Sequence, residues 1–150
     1  MKICRALVFL GMFLLVPHKP AVSGDVVTYV YDGTFDDAIF ELREAIVGRG
    51  LKVDYVSHVG DMLNRTKDDV GGTRDIFANA KIFVFCSAAI SRRAMEADPL
   101  NIVHCPYTVF VAQMSGKDGK VLVGHPDFPD GAMDEAERLL QDIAREVTGG

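Results

Sequence analysis

The 150-residue sequence predicts an α+β fold, a single domain whose mainly antiparallel sheet is backed by two long helices. Three observations predict it. Long amphipathic patterns stand near each end of the domain, and strand-like runs cluster in the second half. Two of those runs, "YTVFVAQM" and "KVLVGH", are joined by the turn residues "SGKDG", which reads as a hairpin and so as an antiparallel pair. This clustering suits a sheet with helices on one face better than a doubly wound parallel sheet.

The elements follow in order. Lys2 and Arg5 precede an apolar run of 11 residues, Ala6 to Val16, and Ala21 and Ser23 supply small residues before a cut near Gly24. That is the pattern of a secretory signal peptide, and the run is well short of the roughly 20 residues that cross a bilayer. Residues 1–24 are therefore expected to be removed, Cys4 with them, leaving residues 25–150 as one periplasmic or secreted domain with no membrane span. "VVTYVYDG" is rich in β-branched and aromatic residues and ends in a turn, as a first strand should. In "TFDDAIFELREAIVGRG", Thr34 can cap a helix, Asp36 and Asp37 complement its N-terminus, and Phe35, Ile39, Leu42 and Ile46 share a face. "LKVDYVSHV" returns to a period of two, with Leu51, Val53 and Tyr55 on one face.

Gly60 to Ala80 reads as mixed helix and loop, with helical character around Met62 and Leu63 and a second helical turn at Ile76–Phe77. "KIFVFCSA" is nearly all apolar, the pattern of a strand covered on both faces. Ser87 or Ser91 caps a short helix that Pro99 stops. After the hairpin and the break "PDFPDG", the sequence "AMDEAERLLQDIAREV" places Met133, Ala136, Leu140, Ile143 and Val147 on one stripe of a final helix.

Composition narrows the function. Loss of Lys2, Arg5 and Lys19 with the leader leaves 13 Lys and Arg against 21 Asp and Glu, a net-acidic surface without a basic run, which excludes nucleic acid as a partner. Asn64-Arg65-Thr66 fits a glycosylation acceptor, a three-residue match common by chance, and no phosphate-cradling glycine loop occurs. Attention falls on Cys86 and Cys105, which bracket "SAAISRRAMEADPLNIVH". If the strands flanking them are antiparallel neighbours, both thiols meet at one sheet edge, and a bond between them closes a loop of about 20 residues. Redox chemistry is the second reading: Cys86 stands at a helix start with Arg92 and Arg93 one turn on, but there is no C-x-x-C pair. Metal or haem binding is the third, with His58, Met62, Met95 and His104 as donors beside the cysteines, a set that suits copper or haem iron but has no recognised ligand spacing. Arg65, Arg92 and Arg93 are a solvated face or the frame of a small anion pocket.

The succession "FDDAIFELREAIVGRGLKV", "SHVGDMLNRT", "AKIFVFCSAAISRRAMEADPLNIVHCPYTVFVAQ" and "GKVLVGHPDFP" resembles the domain of unknown function 302 family, in the variant with "FCSA" and "CPY" where other members carry Gly-Asn-Pro and Leu-Pro. The resemblance runs from about Val26 to Val147. It implies a helix-backed antiparallel sheet similar to the TATA-binding-protein half-fold, and homodimers. It transfers no catalytic motif. Two function classes follow: an exported accessory or binding module, with a homodimer or a periplasmic redox protein as partner, or an enzyme of thiol-redox or sulfur-transfer type using Cys86 or Cys105. The first is favoured, because no constellation here combines nucleophile, base and stabiliser.

Overall fold

The computed structural model describes residues 26–116 and 118–150; the expected leader, the expected cut near Gly24 and Cys4 lie outside the described residues. The elements are β1 (Val26–Tyr31), α1 (Phe35–Gly48), β2 (Val53–Ser57), α2 (Val59–Thr66), β3 (Phe77–Phe85), α3 (Ala88–Ala97), a 3-10 segment (Pro99–His104), β4 (Tyr107–Met114), β5 (Val121–Pro126) and α4 (Asp134–Thr148). All five strands form one antiparallel sheet in the order β1-β5-β4-β3-β2. The α+β class is correct. β1 and β2 are opposite edges, so α1 between them crosses the whole sheet and packs beside α4 on one face.

Alternation decides what that face buries. Phe83 and Phe85 of β3, Tyr107, Val109 and Val111 of β4, and Val121 and Val123 of β5 meet Leu42, Ile46, Leu140 and Ile143 of the helices in one core. Thr34 caps α1 by accepting from the Asp37 N–H, as its place before two acidic residues predicts. The opposite face carries Val26, Thr28 and Val30 of β1, Leu122 of β5, Thr108, Phe110 and Ala112 of β4, and Ile82 and Val84 of β3. None of these is charged. Among the described residues only its β3 end is covered, by α2, whose Gly60 lies so close that a Cβ there would stand 2.5 Å from the Ala80 amide nitrogen.

Three local expectations change. Ile76–Phe77 is no helical turn: Phe77 opens β3 opposite Met114, because the eight-residue β4 offers a partner that extends the strand backwards. Tyr55 does not share a face with Val53, since the register slips between them, leaving Val53 and Val56 against the core and Tyr55 exposed. The apolar run in β3 is not covered on both faces; Ile82 and Val84 are half-buried on the open side.

Candidate functional site

Phe85 is paired with Tyr107, so Cys86, just past β3, and Cys105, just before β4, flank one end of the sheet. What brings them to a common point is the helix between them. Ser87 caps α3 through its Oγ, which accepts from Ile90 N at 3.4 Å, and one turn further on the helix turns Ser91 inward beside Ala94, both buried. Ser91 Oγ donates to Tyr107 Oη at 3.0 Å. Its single proton is thereby committed, and the oxygen accepts from both thiols, Cys86 Sγ at 3.1 Å and Cys105 Sγ at 3.4 Å. The two cysteines are free, half-buried thiols on one hydroxyl.

Burial sets the electrostatics of this cluster. It pushes the Cys105 thiol up, the neighbouring Cys86 adds to the rise, and the Ser91 and Tyr107 hydroxyls partly oppose it. The Tyr107 phenol, fully buried, is pushed up to about 12, again mainly by desolvation. Both groups hold their protons more tightly in the fold than in the unfolded chain. The reduced protein therefore keeps this contribution below the ordinary thiol and phenol range and loses it as the pH rises beyond them. Native Cys105 is accordingly expected to react slowly with iodoacetamide near neutrality and to accelerate only above the usual thiol range. A rate that levels off below pH 8 would contradict that.

The other sequence candidates disperse. His58 stands at the start of α2 without bonding its free amides, its ring 3.3 Å from Asp61, and Met62 lies on the same helix, 3.9 Å from Thr66 Oγ. Met95 is on α3. Arg92 is held by Glu96 at 2.7 Å, Arg93 forms a fork on Glu135 that joins α3 to α4, and Arg65 sits at the end of α2; the three do not converge on one pocket. His104 ends the 3-10 segment with its ring 5.2 Å from Phe128, beside a cavity of about 210 Å³ lined by Val103, Pro106, Thr108 and Pro126.

Three residues were not singled out as functional from the sequence. Ser91 reads there as a possible cap and Tyr107 as a strand residue; a hydroxyl on the apolar stripe of a helix is the signal for the first. His125 reads as a strand exit, yet it is fully buried, its ring stacked 6.3 Å from Tyr29. Its Nδ1 lies 2.9 Å from the Pro126 carbonyl, which can only accept, so the proton is on Nδ1. Nε2 has no partner among the described residues.

A helix-backed, five-stranded antiparallel sheet with a thiol pair and two hydroxyls at one end is an α+β domain of a recognisable class. The chain belongs to the family described as Domain of unknown function DUF302, which it matches over residues 27–149. A solved structure described as an uncharacterized conserved DUF302 protein from Bacillus stearothermophilus shares the fold, with a TM-score of 0.59 and 17% identity over 83% of this chain and 93% of that one. No curated protein matches.

Proposed function

We propose that the chain is an exported, non-enzymatic accessory or binding module in which Cys86 and Cys105 form a structural disulfide and which works as a homodimer. The observation that carries the disulfide is the convergence of both sulfurs on Ser91 Oγ, at 3.1 and 3.4 Å. Bond formation removes two thiol protons and passes two electrons to a disulfide-bearing oxidant of the exported compartment. Two features weigh against a thiol enzyme: the sulfurs are met by hydroxyls, not by a base, and Cys105 is held protonated by burial. Thiol counting on denatured protein recovered from the exported fraction should find none before reductant and two after. Two free thiols beforehand would overturn the disulfide, and rapid reaction of a native thiol near neutral pH would favour the enzyme.

The dimer rests on the open face of the sheet. Like charges set opposite one another would repel two copies of a net-acidic chain, but this face, from Val26 and Val30 across Leu122 and Phe110 to Ile82 and Val84, carries no charged side chain among these residues. Its α2 end holds a cavity of about 370 Å³ lined by apolar groups including Val59, Phe77 and Met114. Val30 is 61% exposed on the edge strand. V30D is expected to leave the melting curve of the subunit unchanged and to halve the mass measured by light scattering; a wild-type protein of monomer mass would remove the dimer.

A further inference from the structure

We propose that, in its reduced form, the Cys86–Cys105 pair is a two-coordinate site for a soft monovalent cation of the copper(I) class. The inference rests on the reading that these two sulfurs act as a pair, and it adds a ligand to the form that the disulfide does not occupy. Thiolate sulfur selects soft ions, copper(I) and zinc among them. The number of donors separates the two. Structural zinc takes four ligands, whereas among the described residues no group of three or more His, Cys, Asp and Glu side chains is placed to hold a metal ion. Two thiolates complete the shell of a soft closed-shell ion that accepts linear coordination, as copper(I) does.

Position supports the same choice. A bis-thiolate copper(I) centre carries one negative charge. Cys86 is the residue immediately before the Ser87 cap of the ten-residue α3, so that charge would lie at the positive end of the helix dipole. Cys105 packs against the hydrophobic core, and both cysteines are only half-buried, so the pair can be reached from solvent. On binding, two S–H bonds break, their protons pass to solvent, and two Cu–S bonds form; no electron is transferred. Ser91 gives up the two thiol contacts and keeps its donation to Tyr107, 3.0 Å away. The disulfide form has no thiolate to offer, so binding also reports the redox state of the pair.

The test uses the mature chain, reduced and free of oxygen, titrated against copper(I) held by a chromophoric chelator. The expected result is one ion withdrawn per chain, both thiols protected from alkylation while it is bound, and no binding of zinc(II) supplied alone. C86S and C105S should each lose the withdrawal, as should the wild type after oxidation to the disulfide, a control that leaves every side chain in place should a serine variant fail to fold. No withdrawal by the reduced protein overturns the proposal, as does binding that persists after oxidation or reaches only half an ion per chain. Thiol counting separates the two readings, since a disulfide found in a protein that withdraws no copper leaves the staple standing and removes only the metal.

Discussion

Replacing Gly124 by alanine is expected to destabilise the domain by about 2 to 3 kcal/mol, lowering Tm by roughly 10 °C for a domain of this size. Gly124 lies in β5 with Phe110 opposite it on β4 and Thr28 opposite it on β1. A Cβ added there would stand 2.5 Å from Phe110 Cζ, 2.7 Å from Phe110 Cε1 and 2.7 Å from the Val27 carbonyl oxygen. The aromatic ring can swing aside, at the cost of its packing over the glycine. The carbonyl cannot, because β1 is fixed to β5 by the ladder that runs from Val26–Pro126 to Tyr31–Val121. This separates two sources of strain. Adding F110A to G124A should therefore recover only part of the loss, and a double variant that melts like F110A alone would show that the ring was the whole obstacle. Because Phe110 lies on the uncharged face, G124A should also weaken the self-association proposed for that face. A thermal scan that finds G124A within about 2 °C of wild type would remove the argument.

The same glycine shows where reading the sequence ends. Nothing in "KVLVGH" marks Gly124 as a seat for an aromatic ring; that depends on which residue the neighbouring strand sets opposite it. Local signals carried well: the Thr34 cap, the stripe of α4 and the hairpin between β4 and β5 depend on residues within a few positions of one another. Long-range pairing did not. The slip between Val53 and Tyr55 moves one tyrosine from core to solvent with no change in alternation, and β3 gains its first residues from the length of β4. The site divides in the same way. Cys86 and Cys105 stand out by residue type and by position beside the strand-like runs of the sequence. Ser91 and Tyr107 join the thiol cluster only when α3 folds back over the sheet end and sets a helix hydroxyl on a strand phenol 16 residues away. His125 was concealed by its neighbour: before a proline it reads as a strand exit, yet the α4 face places Glu137 Oε1 3.8 Å from its ring.

Oxidation of the pair should change stability as much as any side-chain replacement at this end of the sheet. Closing the 86–105 loop of about 20 residues removes chain entropy from the unfolded state worth about 3 kcal/mol, or roughly 10 °C in Tm. The antiparallel pairing of β3 with β4 supplies the geometric condition, since the bond joins the residue after Phe85 to the one two places before its partner Tyr107. The native state contributes in the opposite direction: bond formation removes the two thiol contacts to the buried Ser91 oxygen, while the Ser91 donation to Tyr107 stays in place. The net gain should thus fall somewhat below the entropic figure. The measurement is a comparison of four melting curves, wild type and C86A/C105A, each with and without reductant. Oxidised wild type should melt highest, reduced wild type well below it, and the double variant should not respond to reductant at all. S91A provides the internal control, because it removes the shared hydroxyl without touching the bond: it should lower the reduced wild type more than the oxidised one. If reductant shifts the double variant as far as the wild type, the stabilisation does not come from these two sulfurs; if it shifts neither, the cysteines do not act as a staple.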